Sequence, residues 1–302
     1  MSHSYLKQVQ LVTLAAIARG FILAMKGAPR PLSDQVIKVL SREAGRTIAV
    51  NVYNPPNPTH PTPVLINFHG SGFILPRHGE DDEFCRTIAN KTGHTVLDCP
   101  YRLAPAHPYP AAIEDTEDVV NWVLSQPSIY DLSKLSISGF SAGGNLALVA
   151  AGVSFPKDTF KAVLTFYPAT DWDASAEEMS SAPDPSMKPQ INPRVNDVVI
   201  DCFLPPGSNK RDPRISPQYA DAERFPRTVL VISAAGDSLC WQDERFVQKL
   251  REAGGERVVV HKRMEKVNHA FDKEPKAGSL EERAKDDAYA LTVKTLMDAT
   301  GL

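Results

Sequence analysis

Apolar and polar positions along this chain change period at regular intervals, and the changes mark its elements. Two runs rich in β-branched residues flank Gly45 in "QVIKVLSREAGRTIAVNVYNP" and predict a β-hairpin. The proline-rich "NPPNPTHPTP" follows as an exposed connection. "VLINFH" (64–69) is apolar without alternation, the pattern of a strand buried on both faces. "DDEFCRTIANKTG" predicts a helix closed by Gly93, "TVLDCPY" a strand, and "IEDTEDVVNWVLSQ" a helix with Val119, Val120, Val123 and Leu124 on its apolar side. "KLSIS" and "KAVLTFYP" read as further strands around the helix that begins after Ser141.

Strand and helix in alternation, with near-continuously apolar strands, predict a mostly parallel sheet covered on both faces. After Pro168 the rhythm breaks. Residues 171–218 contain Pro183, Pro185, Pro189, Pro193, Pro205, Pro206, Pro213 and Pro217 with only short apolar runs between them. It resumes with "RTVLVISAAGD", the helix "CWQDERFVQKLREAGG", the strand "RVVVHKRM" and a helix from about Ser279 to Ala299. An interruption that preserves the order on both sides is an insertion. The expected organisation is therefore a first segment 1–44 with a cap helix and the first strand, core at 45–170, a cap insertion at 171–218, and core again at 219–302.

The apolar run "LVTLAAIARGFILAM" (11–25) bears on localisation. It carries Arg19 in its middle and falls short of the ~20 apolar residues of a membrane span. It predicts a helix lying on the protein as part of the cap, in a cytoplasmic protein, with membrane association of this helix as the alternative. Of 302 residues, 42% are apolar and 23% charged, with a formal charge of −3, so nothing favours nucleic acid as a partner. The basic clusters "NKRDPR" and "HKRMEK" read as solvated loop and strand ends. Cys85, Cys99, Cys202 and Cys240 lack metal-ligand spacing and predict free thiols; neither a metal nor an organic cofactor is implied.

The chemistry concentrates at "LSISGFSAGGNLALVA" (135–150). A strand ends at Gly139, a helix starts by Asn145, and Ser141 sits between two glycines. A turn that tight presents its side chain at the crest, and it requires Gly139 and Gly143 because the two legs approach closely. The free N–H groups of the next helix point at the same spot. In "NFHGSGF" (67–73), a glycine-rich loop after a neighbouring strand, Gly70 and Ser71 are the expected backbone donors to an oxyanion, together with Ala142.

A serine hydroxyl needs a base, and the base an orienting acid. Only His261 and His269 follow Ser141. His261 lies inside a strand pattern and reads as structural; His269, in "KVNHAF", stands in the loop after that strand, where a base belongs. Asp237, directly after the strand of "ISAAGD", is the candidate acid. Asp243 and Glu244 read as solvated or capping residues, and Asp98 and Asp115, which precede the serine, as packing or caps.

"HGSGF", "YRLAPAHPYPAAIED", "GFSAGGNLAL", "AAGDSL" and "NHAF" occur in the order in which they stand in the hormone-sensitive-lipase family of α/β-hydrolases, which the chain resembles over about residues 45–300. The resemblance implies an α/β-hydrolase fold with a helical cap and ester hydrolysis by a triad of Ser141, Asp237 and His269, with Gly70, Ser71 and Ala142 as oxyanion donors. Two positions depart from the family pattern. Ser71 replaces a glycine, and its Cβ is expected to narrow the substrate site; Phe140, before the nucleophile, replaces a residue that is often polar. The expected substrate is a small-to-medium acyl ester. Lactone or amide cleavage, acyl transfer and elimination stay open, as do a small-molecule receptor on the same fold and a homodimer. Phe21, Ile22, Met25, Phe203 and Leu204 are equally suited to line an apolar pocket or to pack the cap on the core.

Overall fold

The computed structural model describes residues 4–188 and 193–302. Residues 1–3 of the expected first segment and 189–192 of the expected insertion, Pro189 among them, lie outside the described residues. The strands are β1 (Gln35–Leu40), β2 (Thr47–Tyr53), β3 (Thr62–Phe68), β4 (Thr95–Cys99), β5 (Tyr130–Phe140), β6 (Ala162–Phe166), β7 (Thr228–Ala234) and β8 (Val258–Met264). They form one sheet in the order β1-β2-β4-β3-β5-β6-β7-β8. β1 and β2 make the predicted hairpin, β2 is antiparallel to β4, and every later neighbour is parallel. This is the α/β-hydrolase fold.

All seven residues of β3 are buried, as their unbroken apolar run requires. Successive residues of a strand face opposite sides. Val64, Ile66 and Phe68 accordingly enter one apolar cluster and Leu65 another. The helices α3 (Ala111–Leu124), α4 (Ala142–Val149) and α7 (Cys240–Glu252) contribute to the first cluster. The second is closed by α2 (Asp82–Thr92) and α8 (Leu280–Thr300). Gly93 ends α2 in the left-handed conformation at φ 73°.

Helix α1 (Tyr5–Lys26) is longer than the run 11–25 suggested. Leu11 and Ala15 are buried beneath it, and Arg19 ties it down by donating to the carbonyl oxygens of Ile74 and Ala104, each at 2.8 Å. Its outward side is apolar: Phe21 is 64% and Met25 70% exposed. Among the described residues it is the one helix long and apolar enough to cross a membrane. Between β6 and β7 the chain makes the short α5 (Ala176–Met179) and α6 (Pro193–Phe203), and α6 packs on α1.

Candidate active site

The turn between β5 and α4 is built by close approach. A Cβ on Gly139 would stand 2.2 Å from the Gly143 carbonyl oxygen, and one on Gly143 would stand 2.0 Å from that of Phe68, so neither position admits a side chain. Ser141 takes φ 51° and ψ −116°, a conformation rare for a residue with a Cβ. Its N–H donates to the Phe166 carbonyl at 2.9 Å and its own carbonyl accepts from Asn145 N–H at 3.0 Å, which locks the turn between β6 and α4. Asn145 also donates to the carbonyls of Ala169 (2.7 Å) and Ile215 (2.8 Å), tying α4 to the segment between β6 and β7.

The three residues singled out as nucleophile, acid and base meet at the carboxyl end of the sheet. His269 Nε2 lies 3.0 Å from Ser141 Oγ, and His269 Nδ1 lies 2.5 Å from Asp237 Oδ2. The contact to Asp237 puts the ring proton on Nδ1, leaving Nε2 free to accept from the serine hydroxyl. Asp237 is buried, and its second oxygen accepts from Leu239 N–H at 3.1 Å. His261 is in β8 and bonds the Ser233 hydroxyl at 2.8 Å, the structural part expected of it.

Of the expected oxyanion donors, Gly70 lies against the turn: a Cβ there would be 3.4 Å from the Phe140 carbonyl oxygen and 3.5 Å from Ser141 Cβ. Ala142, at the start of α4, lines the cavity above Ser141 together with Gly72, a residue the sequence reading passed over. Gly72 adopts φ 55°, which a glycine holds without strain. Ser71 corrects an expectation. Its hydroxyl turns into the protein, 2.7 Å from Tyr101 Oη and accepting from Phe73 N–H at 2.8 Å, so the side chain braces the loop instead of narrowing the site. His69 stacks on Tyr101 at 4.5 Å, and burial pulls its pKa down to about 4, which keeps this ring neutral beside the loop.

The cavity holds about 90 Å³ and is walled by Trp172, Met179, Val199, Ile200 and Leu239, with Gln242 at its edge. The apolar cap side chains had two parts open to them, lining a pocket or packing, and none of them lines this cavity. Phe21 and Met25 point to the exterior and Ile22 is half-buried. Phe203 is consumed in packing, stacked on Phe73 at 3.8 Å, and Leu204 is buried in the same apolar cluster.

Asp243 is a second correction. It is fully buried, and among the described residues neither carboxyl oxygen has a hydrogen-bond partner. Burial, reinforced by the nearby Asp237 and Glu244, holds its pKa well above the usual carboxylate range. Glu244 is half-buried and pairs with Arg263 at 3.0 Å. Asp98 and Asp115 serve packing as expected: Asp98 accepts from Asn67 at 3.1 Å and faces His78 at 3.2 Å, and Asp115 is bound by Arg46 and Arg102. The four cysteines are free and buried. Phe140 is buried among Phe84, Phe166 and Tyr167, with the Lys273 ammonium 3.5 Å above its ring.

A family model described as alpha/beta hydrolase fold matches residues 65–273, and the chain belongs to that hormone-sensitive-lipase-like family. Over 147 residues, 45% of each chain, it is 37% identical to esterase LipI of Mycobacterium tuberculosis. The chain spans about half the length of curated relatives such as this one. It is 26% identical to the ethyl acetate hydrolase of Pseudomonas putida over 85% of this chain and 80% of that one. Among solved structures, the hyperthermophilic esterase of Pyrobaculum calidifontis superposes with a TM-score of 0.77 at 25% identity, covering 99% of both chains.

Proposed function

We propose that the chain is a serine carboxylesterase that hydrolyses short acyl esters through an acyl-enzyme. The observation that carries this reading is the unbroken line Asp237–His269–Ser141, with contacts of 2.5 and 3.0 Å. Ser141 Oγ attacks the ester carbonyl while His269 Nε2 takes its proton, and the Asp237 carboxylate stabilises the imidazolium. The backbone N–H of Ala142 and those of the 70–72 loop receive the oxyanion, each well-placed donor being worth roughly 3–4 kcal/mol in the transition state. His269 then protonates the leaving alcohol, and water repeats the sequence on the acyl-enzyme. The helix α1 and the segment 171–218 act as the cap.

The cavity supports a short acyl group. Its 90 Å³ is below the roughly 150 Å³ of an apolar cavity that admits benzene. Of the esterase relatives, one is named for ethyl acetate, an ester of the same class. Ser141→Ala is expected to lower kcat on p-nitrophenyl acetate by several orders of magnitude and to abolish labelling by a fluorophosphonate, with the melting temperature unchanged. Undiminished turnover in that variant overturns the proposal, and a panel of acyl esters, lactones and aryl amides sets the bond type.

A further inference from the structure

Three residues beyond His269, the same loop carries Asp272, which is buried and accepts the hydroxyl hydrogens of two tyrosines, Tyr167 and Tyr289, the latter at 3.0 Å. Tyr167 is the residue that follows β6. It is fully buried at φ 38°, where a non-glycine residue is strained, and its N–H is held by the Ile232 carbonyl at 2.6 Å. Its ring centroid stands 4.6 Å from that of His269, tilted by 58°. One further along, Lys273 pairs with Asp272 at 2.8 Å and with Asp81 at 2.7 Å, and its ammonium covers the ring of Phe140, the neighbour of Ser141. Burial disfavours this ammonium, but the two carboxylates outweigh it and hold its pKa above the usual lysine value.

We propose that Tyr167 is a positioning residue for His269, held against the imidazole by the Asp272 carboxylate and registered to the nucleophile turn through Lys273 and Phe140. The proposal rests on His269 being the base. A loop that carries the base also carries the acceptor that fixes the ring packed on it, so the imidazole cannot swing toward Tyr167 without displacing a ring held by a buried hydrogen bond. The contact also favours one protonation state. An aromatic face attracts a cation, and a phenol whose hydroxyl donates to a carboxylate is richer in electrons than a free one. The attraction therefore strengthens when His269 takes the serine proton, and does little for the resting neutral ring. The titratable groups facing His269 are Ser141, Asp237 and Tyr167, with Asp272 and Lys273 behind Tyr167.

Tyr167→Phe keeps the ring and its volume and removes the bond to Asp272; Tyr167→Leu removes the aromatic face. In the full chain, kcat and KM for p-nitrophenyl acetate are measured from about pH 5 to about pH 9. Expected is an unchanged KM, a fall in kcat of about threefold for Tyr167→Phe and about tenfold for Tyr167→Leu, and an acid limb displaced to lower pH by about half a unit. The displacement has that sign because the protonated imidazole has lost stabilisation. A purely structural role would lower melting temperature or active fraction, titrated with a fluorophosphonate, and leave the limb in place. A folded Tyr167→Phe protein whose kcat and acid limb superimpose on the parent overturns the proposal, whatever the folding of Tyr167→Leu. His269→Ala separates the two readings: if it stays active the triad assignment fails, whereas an inactive His269→Ala beside an unaffected Tyr167→Phe removes only the role of Tyr167.

Discussion

Replacing Asp243 with asparagine removes one titrating group and nothing else of comparable size. The carboxyl group lies on α7 with no exposed area and no hydrogen-bond partner among the described residues, and Asp237 and Glu244 add negative charge nearby. Its folded pKa is therefore above its unfolded one, and the folded protein binds the proton more tightly. Stability contributed by this group is full below the unfolded pKa of about 3.9 and is lost as pH rises toward the folded value. Each pH unit inside that window costs up to about 1.4 kcal/mol. From pH 5 to pH 7 the parent should thus lose stability relative to Asp243→Asn, by no more than about 3 kcal/mol across the two units. In a chain of this size that is a melting-temperature difference of at most about 5 °C that opens as pH rises. Urea or thermal unfolding of both proteins at pH 5, 6 and 7 reads it directly, and subtracting the curves cancels every other titrating group. Parallel curves would show that the buried carboxyl group is as easily ionised in the folded chain as in the unfolded one, and the argument from its surroundings would fail.

Gly143→Ala should cost about 3 kcal/mol or more, because the added carbon meets the backbone of Phe68 at 2.0 Å and no side chain there can give way. Yield of soluble protein and fluorophosphonate labelling check it; a stable, labelled variant contradicts the packing described for the turn. Leu239→Ala enlarges the cavity at its wall. It should raise kcat/KM for butyrate and hexanoate relative to acetate by about tenfold, read as a ratio across p-nitrophenyl esters.

The turn at Ser141 was legible because its constraint is local: glycines two residues either side of the serine, between a strand and a helix, leave few other geometries. His269 and Asp237 were legible because each follows a strand and must lie at its carboxyl end. Other features had no local trace. The Phe140, Lys273, Asp272 and Tyr167 assembly joins parts of the chain whose spacing encodes nothing, and it exists only once β5, β6 and the histidine loop are side by side. The cavity wall was left open for a related reason: an apolar cap residue packs equally well inward or sideways, and only tertiary contact chooses. Asp243 is different, since a signal was present. Leu239, Asp243, Phe246, Val247 and Leu250 share one helical stripe, and a carboxylate among them faces the core by periodicity alone.

The pairing of α1 with α6 has a consequence during synthesis. From the end of α1 at Lys26 to the end of α6 at Phe203 is 177 residues. At ~5–20 residues per second, the first helix waits roughly ten to thirty-five seconds on the ribosome before its partner has been translated. Throughout that interval the face of α1 that α6 covers is wetted apolar surface, an exposure that a chaperone bound to this helix would shield.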